Sequence, residues 1–82
     1  MNSIVTPEKP LSAAEPGSRV RIVRIGGGGS FKSKMISLGL MPNTVIEIMN
    51  CDGCIGPMAI KVNQTRIVIG RGMAEKVIVA DT

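Results

Sequence analysis

The chain contains no histidine, no tryptophan and no tyrosine, and its one aromatic residue is Phe31. Each absence removes a class of chemistry. Without imidazole there is no side chain whose ordinary pKa lies near neutrality, and neither a Ser-His nor a Cys-His catalytic pair can be assembled. A non-enzymatic protein is expected. With one aromatic ring there is no platform on which unpaired bases could stack, which argues against single-strand nucleic-acid binding. No apolar run approaches the roughly 18 residues of a membrane span. The first ten residues, MNSIVTPEKP, lack the basic start and apolar stretch of a secretion signal. A cytoplasmic protein is therefore expected, and in that compartment Cys51 and Cys54 are expected to be reduced.

What is present is aliphatic. The chain is 44% hydrophobic but only 1% aromatic, so its core must be built from Val, Ile, Leu and Met. At 82 residues it makes one domain. A chain of that size buries only about 60–65% of its extended surface, so modest stability is expected. The net charge of +4 is a mild bias toward an acidic partner surface.

The stretch GGGGSFKSKMISLGLMPN, residues 26–43, reads as the one helix. Four glycines give a swivel that no regular element tolerates. Ser30 stands where an N-cap belongs. Phe31, Met35 and Leu38 recur at helical spacing and form an apolar face. Gly39 suits the left-handed position that ends a helix, Leu40 can fold back for the accompanying apolar contact, and Pro42 prevents resumption. A helix of about two to three turns does not persist alone, so it must lie on the rest of the chain.

The rest reads as strand. Residues 1–10 form a flexible tail, and the domain occupies residues 11–82. Ser12 and Glu15 have capping-box spacing, stopped at once by Pro16-Gly17. Residues 19–25, RVRIVRI, are the first strand; the apolar phase changes at Val23, as in a strand buried on both faces or bent by a bulge. Residues 44–49 follow, with Ile46 and Ile48 inward. Asp52-Gly53 marks a hairpin turn. Residues 58–62 place Met58, Ile60 and Val62 on one face, and Asn63-Gln64 turns into residues 65–69. Residues 70–75 make one helical turn before a last strand at 76–79. Five short strands with close turns and one helix after the first predict a small, mainly β meander-like barrel, its open end capped by Phe31, Met35 and Leu38.

The chain also resembles a known family. The resemblance rests on the Pro-Gly corner before a basic-apolar strand, the Gly-Gly loop, and the short basic helix ending in Leu38-Gly39-Leu40-Met41-Pro42. It continues with Gly56-Pro57 opening the next strand, the tight turn before Arg66-Ile67-Val68-Ile69, and Met73-Ala74 before the last strand. Together these resemble FeoA, the small cytosolic component of bacterial ferrous iron transport, over residues 11–80. The resemblance implies an SH3-like barrel of about five strands and a role beside FeoB, the permease that carries a cytosolic GTP-binding domain. The same module is similar to the C-terminal domain of DtxR-type iron-dependent repressors. Asn43 stands where the family usually has Gly, and Asn also tolerates the left-handed region.

Four groups of residues are candidate sites. Lys32, Lys34, Leu40 and Met41 would form a partner interface, an apolar patch rimmed by lysines that suits a protein partner of acidic character; the partner that the resemblance implies is the cytosolic region of FeoB. The alternative is that Leu40 and Met41 close the barrel beneath solvated lysines, and for Leu40 the cap contact suffices. Cys51 and Cys54 have the spacing for two thiolates on a transition metal ion, iron(II) or zinc, or for a redox pair. Zinc wants four ligands, however, and the chain has no histidine and no third cysteine; the alternative is two small thiols in an exposed hairpin. Gly26 to Gly29 lack the Gly-Lys-Ser/Thr ending of a phosphate loop and read as a flexible connection. Arg19, Arg21, Arg24, Arg66 and Arg71 would be a nucleic-acid patch if gathered. Interleaved with core residues, they read as scattered surface charge, and no nucleic-acid partner is expected.

Overall fold

The computed structural model describes residues 7–49 and 56–82. Its centre is a six-stranded antiparallel sheet in the order β1-β6-β2-β3-β4-β5. The strands are β1 (Glu8–Pro10), β2 (Arg19–Ile25), β3 (Val45–Ile48), β4 (Met58–Val62), β5 (Thr65–Ile69) and β6 (Val77–Asp81). Inward residues from β2, β3, β4, β5 and β6 all meet in one cluster: Val20, Ile22, Ile46, Ile48, Met58, Ile60, Val62, Ile69, Val77 and Val79. A flat sheet could not bring both its halves to one core, so this one curls around its own apolar face. No polar or charged residue is buried among the described residues.

The bulge expected in the first strand is present. The pairing of β2 with β6 shifts register between Ile22 and Arg24, so Val23 is the extra residue. Val20 and Ile22 point inward before it and Ile25 after it. That shift explains the change of apolar phase and bends β2 so that it pairs with β3 at one end and β6 along its length. The tight turn at Asn63-Gln64 is also as expected. Both residues have positive φ, 49° and 71°, and Val62 pairs with Thr65 across them.

Three expectations are corrected. Glu8–Pro10 are not part of a tail: they pair with β6, Glu8 opposite Ala80 and Pro10 opposite Ile78, making a sixth strand. Three residues carry no legible alternation, and two ion pairs hold them, Lys9 with Asp81 and Glu8 with Arg24. The last strand runs to Asp81, because β2 pairs with it that far, Val20 opposite Asp81 and Arg21 opposite Ala80, while β1 holds residues 78–80 from the other side. The Ser12–Glu15 capping box does not form. A single 3-10 turn at Leu11–Ala13 begins from Pro10 without a side-chain cap, and the Ser18 hydroxyl instead donates to the Glu15 carbonyl. The hairpin turn read at Asp52-Gly53 lies outside the described residues.

The helix α1 (Gly29–Ser37) begins from Gly28, so Ser30 lies inside its first turn and caps nothing. Its C-terminus is as expected. Gly39 has φ +93°, its N–H donates to the Ile36 carbonyl, and the Leu40 N–H donates to the Met35 carbonyl. That pair of bonds is the Schellman arrangement, and Met35 and Leu40 are both fully buried in the core beneath it. The short α2 (Arg71–Ala74) fills the predicted turn before β6.

Candidate docking surface at the helix exit

The chain leaving α1 is pinned to the sheet. Asn43 has φ +73°, its N–H donates to the Ile22 carbonyl at 2.7 Å, and the Ile22 N–H donates to the Thr44 carbonyl at 2.9 Å. These bonds fix Met41 and Pro42 in a tight corner between helix and strand. At this corner the apolar surface stays uncovered. Ile36 is 47% exposed, Met41 47% and Leu38 38%. Leu38 was expected in the core with Phe31 and Met35. It is the C-cap residue, and the left-handed turn at Gly39 delivers Leu40 to the core in its place.

Beside Ile36 lies a shallow cleft of about 170 Å³, lined by Arg24, Ile25, Lys32, Ile36 and Pro42. Lys32 and Ile36 are one turn apart on α1 and share this face. The cleft therefore has an apolar floor and basic rims. Arg24 is engaged with Glu8, which leaves Lys32 as the cation at this cleft without an ion pair among the described residues.

The structure divides the sequence-derived interface. Lys32 and Met41 are exposed at this corner. Leu40 is fully buried and offers no surface; it closes the core, as its cap contact implied. Lys34 lies two positions from Lys32, about 200° around the helix, so one flat partner cannot engage both. Lys34 stands in the last turn, where a cation complements the carbonyl end of the helix. Ile36, Leu38 and Pro42 were missed. The signal for Ile36 was an apolar residue lying off the Phe31-Met35 stripe.

The remaining candidates resolve differently. Gly26 approaches Lys76 so closely that its N–H donates to that carbonyl at 2.6 Å. Gly27 has φ +85°, and the Phe31 ring packs 3.3 Å from where its Cβ would stand. The Lys76 ammonium lies 5.2 Å from the Phe31 ring centroid. The glycine run is thus a fixed corner at its start rather than a slack connection. Arg71 belongs to no basic patch: its guanidinium donates to the carbonyls of Gly56 at 3.1 Å and Ser12 at 3.2 Å. Cys51 and Cys54 lie outside the described residues, and among the described residues no three His, Cys, Asp or Glu side chains gather to hold a metal ion.

The family model for the FeoA domain matches residues 9–81. The chain belongs to the FeoA family. A Methanocaldococcus jannaschii protein assigned by name to Fe(2+) transport, as transport protein A, is 29% identical over 72 residues, covering 88% of this chain and 85% of the relative. A crystal structure of the iron uptake regulatory protein FeoA superposes with a TM-score of 0.84 at 34% identity, covering 93% of this chain and all of that one. The SH3-like fold expected from the sequence is that of these FeoA neighbours. A manganese-dependent transcriptional repressor shares the fold at 15% identity and a TM-score of 0.82, and this chain spans 44% of it. The FeoA family is a small accessory domain linked to Fe(2+) transport. Among the described residues no helix is long and apolar enough to cross a membrane.

Proposed function

We propose that this FeoA-family chain is a non-enzymatic accessory of ferrous iron uptake that works in the cytoplasm by binding the cytosolic region of the permease FeoB. Ile36, Leu38, Met41 and Pro42 supply the contact, with Lys32 at its rim. The observation that carries this reading is the uncovered apolar corner at the helix exit, held rigid by the Asn43 and Thr44 bonds to β2, in a chain that matches FeoA along nearly its whole length. Exposed apolar side chains next to a lysine without an ion pair among the described residues suit a partner with apolar and acidic groups.

The test is an NMR titration of labelled protein with the purified cytosolic domain of the permease, with and without guanine nucleotide. Shifts should cluster on residues 32–43. The double variant Ile36→Glu, Met41→Glu should remove them while leaving the free energy of unfolding within about 1 kcal/mol of the parent, about 0.5 kcal/mol for each exposed position. Binding that survives the double variant unchanged would refute this surface.

A further inference from the structure

The sheet has two edges, β1 and β5, and they are treated differently. Natural proteins blunt edge strands by making them short, by placing proline there, or by setting charged side chains on them. The β1 edge has all three: it is three residues long, it ends in Pro10, and both its charged side chains are in ion pairs. The β5 edge has only the last of these, the charge of Arg66. It is five residues long, contains no proline, and pairs with β4 in unbroken register.

The free main-chain groups of β5 can be assigned. Across the two-residue turn, Val62 and Thr65 form the hydrogen-bonded pair, so Ile60–Ile67 and Met58–Ile69 are the next such pairs. Arg66 and Val68 then direct their N–H and C=O groups away from β4. No backbone hydrogen bond to either is formed from elsewhere among the described residues. Val68 is 60% exposed.

The side chains beside this edge state what it would accept. Register aligns Arg19, Glu47, Lys61 and Arg66 in one row across β2, β3, β4 and β5. The row ends at the edge with two cations directly opposite each other, at the non-hydrogen-bonded kind of site where side chains come closest. Like charges so placed are destabilising. The ion pairs among the described residues are Lys9–Asp81 and Arg24–Glu8, so there neither Lys61 nor Arg66 is in an ion pair, and the one acid in the row, Glu47, stands beside Lys61 on the side away from Arg66. A carboxylate arriving beside Arg66 relieves that repulsion.

We propose that the β5 edge binds an extended acidic segment of a partner protein by strand addition. Main-chain bonds form to Arg66 and Val68. A carboxylate of the segment meets Lys61 and Arg66, and an apolar side chain two positions away covers Val68. Charge decides against a second copy of this chain. Symmetric pairing of two β5 strands about Ile67 would satisfy the same main-chain groups, but it would gather two Lys61–Arg66 pairs on one face. This surface shares no residue with the helix exit.

The probe is a short peptide with glutamate and valine two positions apart, compared with the same peptide carrying lysine for glutamate, each titrated into the labelled full chain. The acidic peptide should bind at least tenfold more tightly, shift the amides of Arg66 and Val68, and slow their hydrogen exchange. Val68→Pro should abolish binding, because it removes an outward N–H without touching the bonds to β4. Because that variant risks disturbing the strand, Lys61→Glu, Arg66→Glu provides a second readout: it should fold and prefer the lysine peptide. Equal affinity for the two peptides, shifts confined to residues 32–43, or a concentration-dependent dimer that forms through β5 without peptide would each overturn the proposal.

Discussion

Substituting alanine at two neighbouring glycines should change stability in opposite directions. Gly27 has φ +85°, a conformation that costs a residue with a Cβ about 1–2 kcal/mol. The new methyl would also stand 3.3 Å from Phe31 Cδ2 and 3.5 Å from Lys76 Cδ, pressing on the ring that Lys76 covers. The ring is half-buried and can shift, so Gly27→Ala should lose about 1–2.5 kcal/mol in all. Gly29 is the first residue of α1, and nothing lies within 4 Å of its missing Cβ. Alanine there removes unfolded-state freedom and suits the helix, so Gly29→Ala should gain about 0.5–1 kcal/mol. With no tryptophan or tyrosine to report by fluorescence, the assay is urea unfolding followed by far-ultraviolet circular dichroism. At a slope of about 1 kcal/mol per molar urea, Gly27→Ala should lower the midpoint by about 1–2.5 M and Gly29→Ala should raise it by about 0.5–1 M. Midpoints that move together, or a neutral Gly27→Ala, would refute the fixed corner and restore the flexible connection that the four-glycine run suggests.

Met35 is fully buried and Leu38 only partly so, hence Met35→Ala should cost about 2–5 kcal/mol and Leu38→Ala about 1 or less, measured by the same unfolding experiment. Arg71→Ala should cost about 1–3 kcal/mol, because it strips the Gly56 and Ser12 carbonyls of a charged donor, whereas Arg19→Ala should stay within about 0.5 kcal/mol. Asn43→Gly should leave the midpoint nearly unchanged, since either residue accepts φ +73°, while Asn43→Val should lose about 1–2 kcal/mol.

The elements legible in the sequence are those whose cause is local. The left-handed end of α1, the turn at Asn63-Gln64 and the inward faces of β3 and β4 each follow from residues adjacent in the chain. The bulge at Val23 also left a local trace, the change of phase in RVRIVRI. The helix start was misplaced because a serine near a helix start is a common cap, while here Gly28 takes the position and the close approach of Gly26 to Lys76 sets where the chain turns. The approach is a tertiary fact with no signature in residues 26–30. Leu40, by contrast, was set apart from its neighbour Met41 in the sequence by the helix-end contact it could make, and it is buried as that contact requires. Leu40 is buried and Met41 exposed because the left-handed turn at Gly39 carries Leu40 back toward Met35.

What was least legible is what pairing alone creates. Arg19 and Arg66 are far apart in the chain and each alternates with core residues, so singly they read as ordinary surface charge. Antiparallel register then sets them in one row with Glu47 and Lys61. The same holds for the edges. Nothing in EKP announces a strand, yet its proline and its two ion pairs make β1 a poor template for further pairing, so its place at one border of the sheet follows from its chemistry. By that reasoning β5 should have carried a similar safeguard. Its only charged residue instead stands opposite a second cation, an arrangement that discourages self-association and favours an acidic strand. Lys61 and Arg66 can thus guard the edge against copies of this chain while leaving it open to a partner of opposite charge.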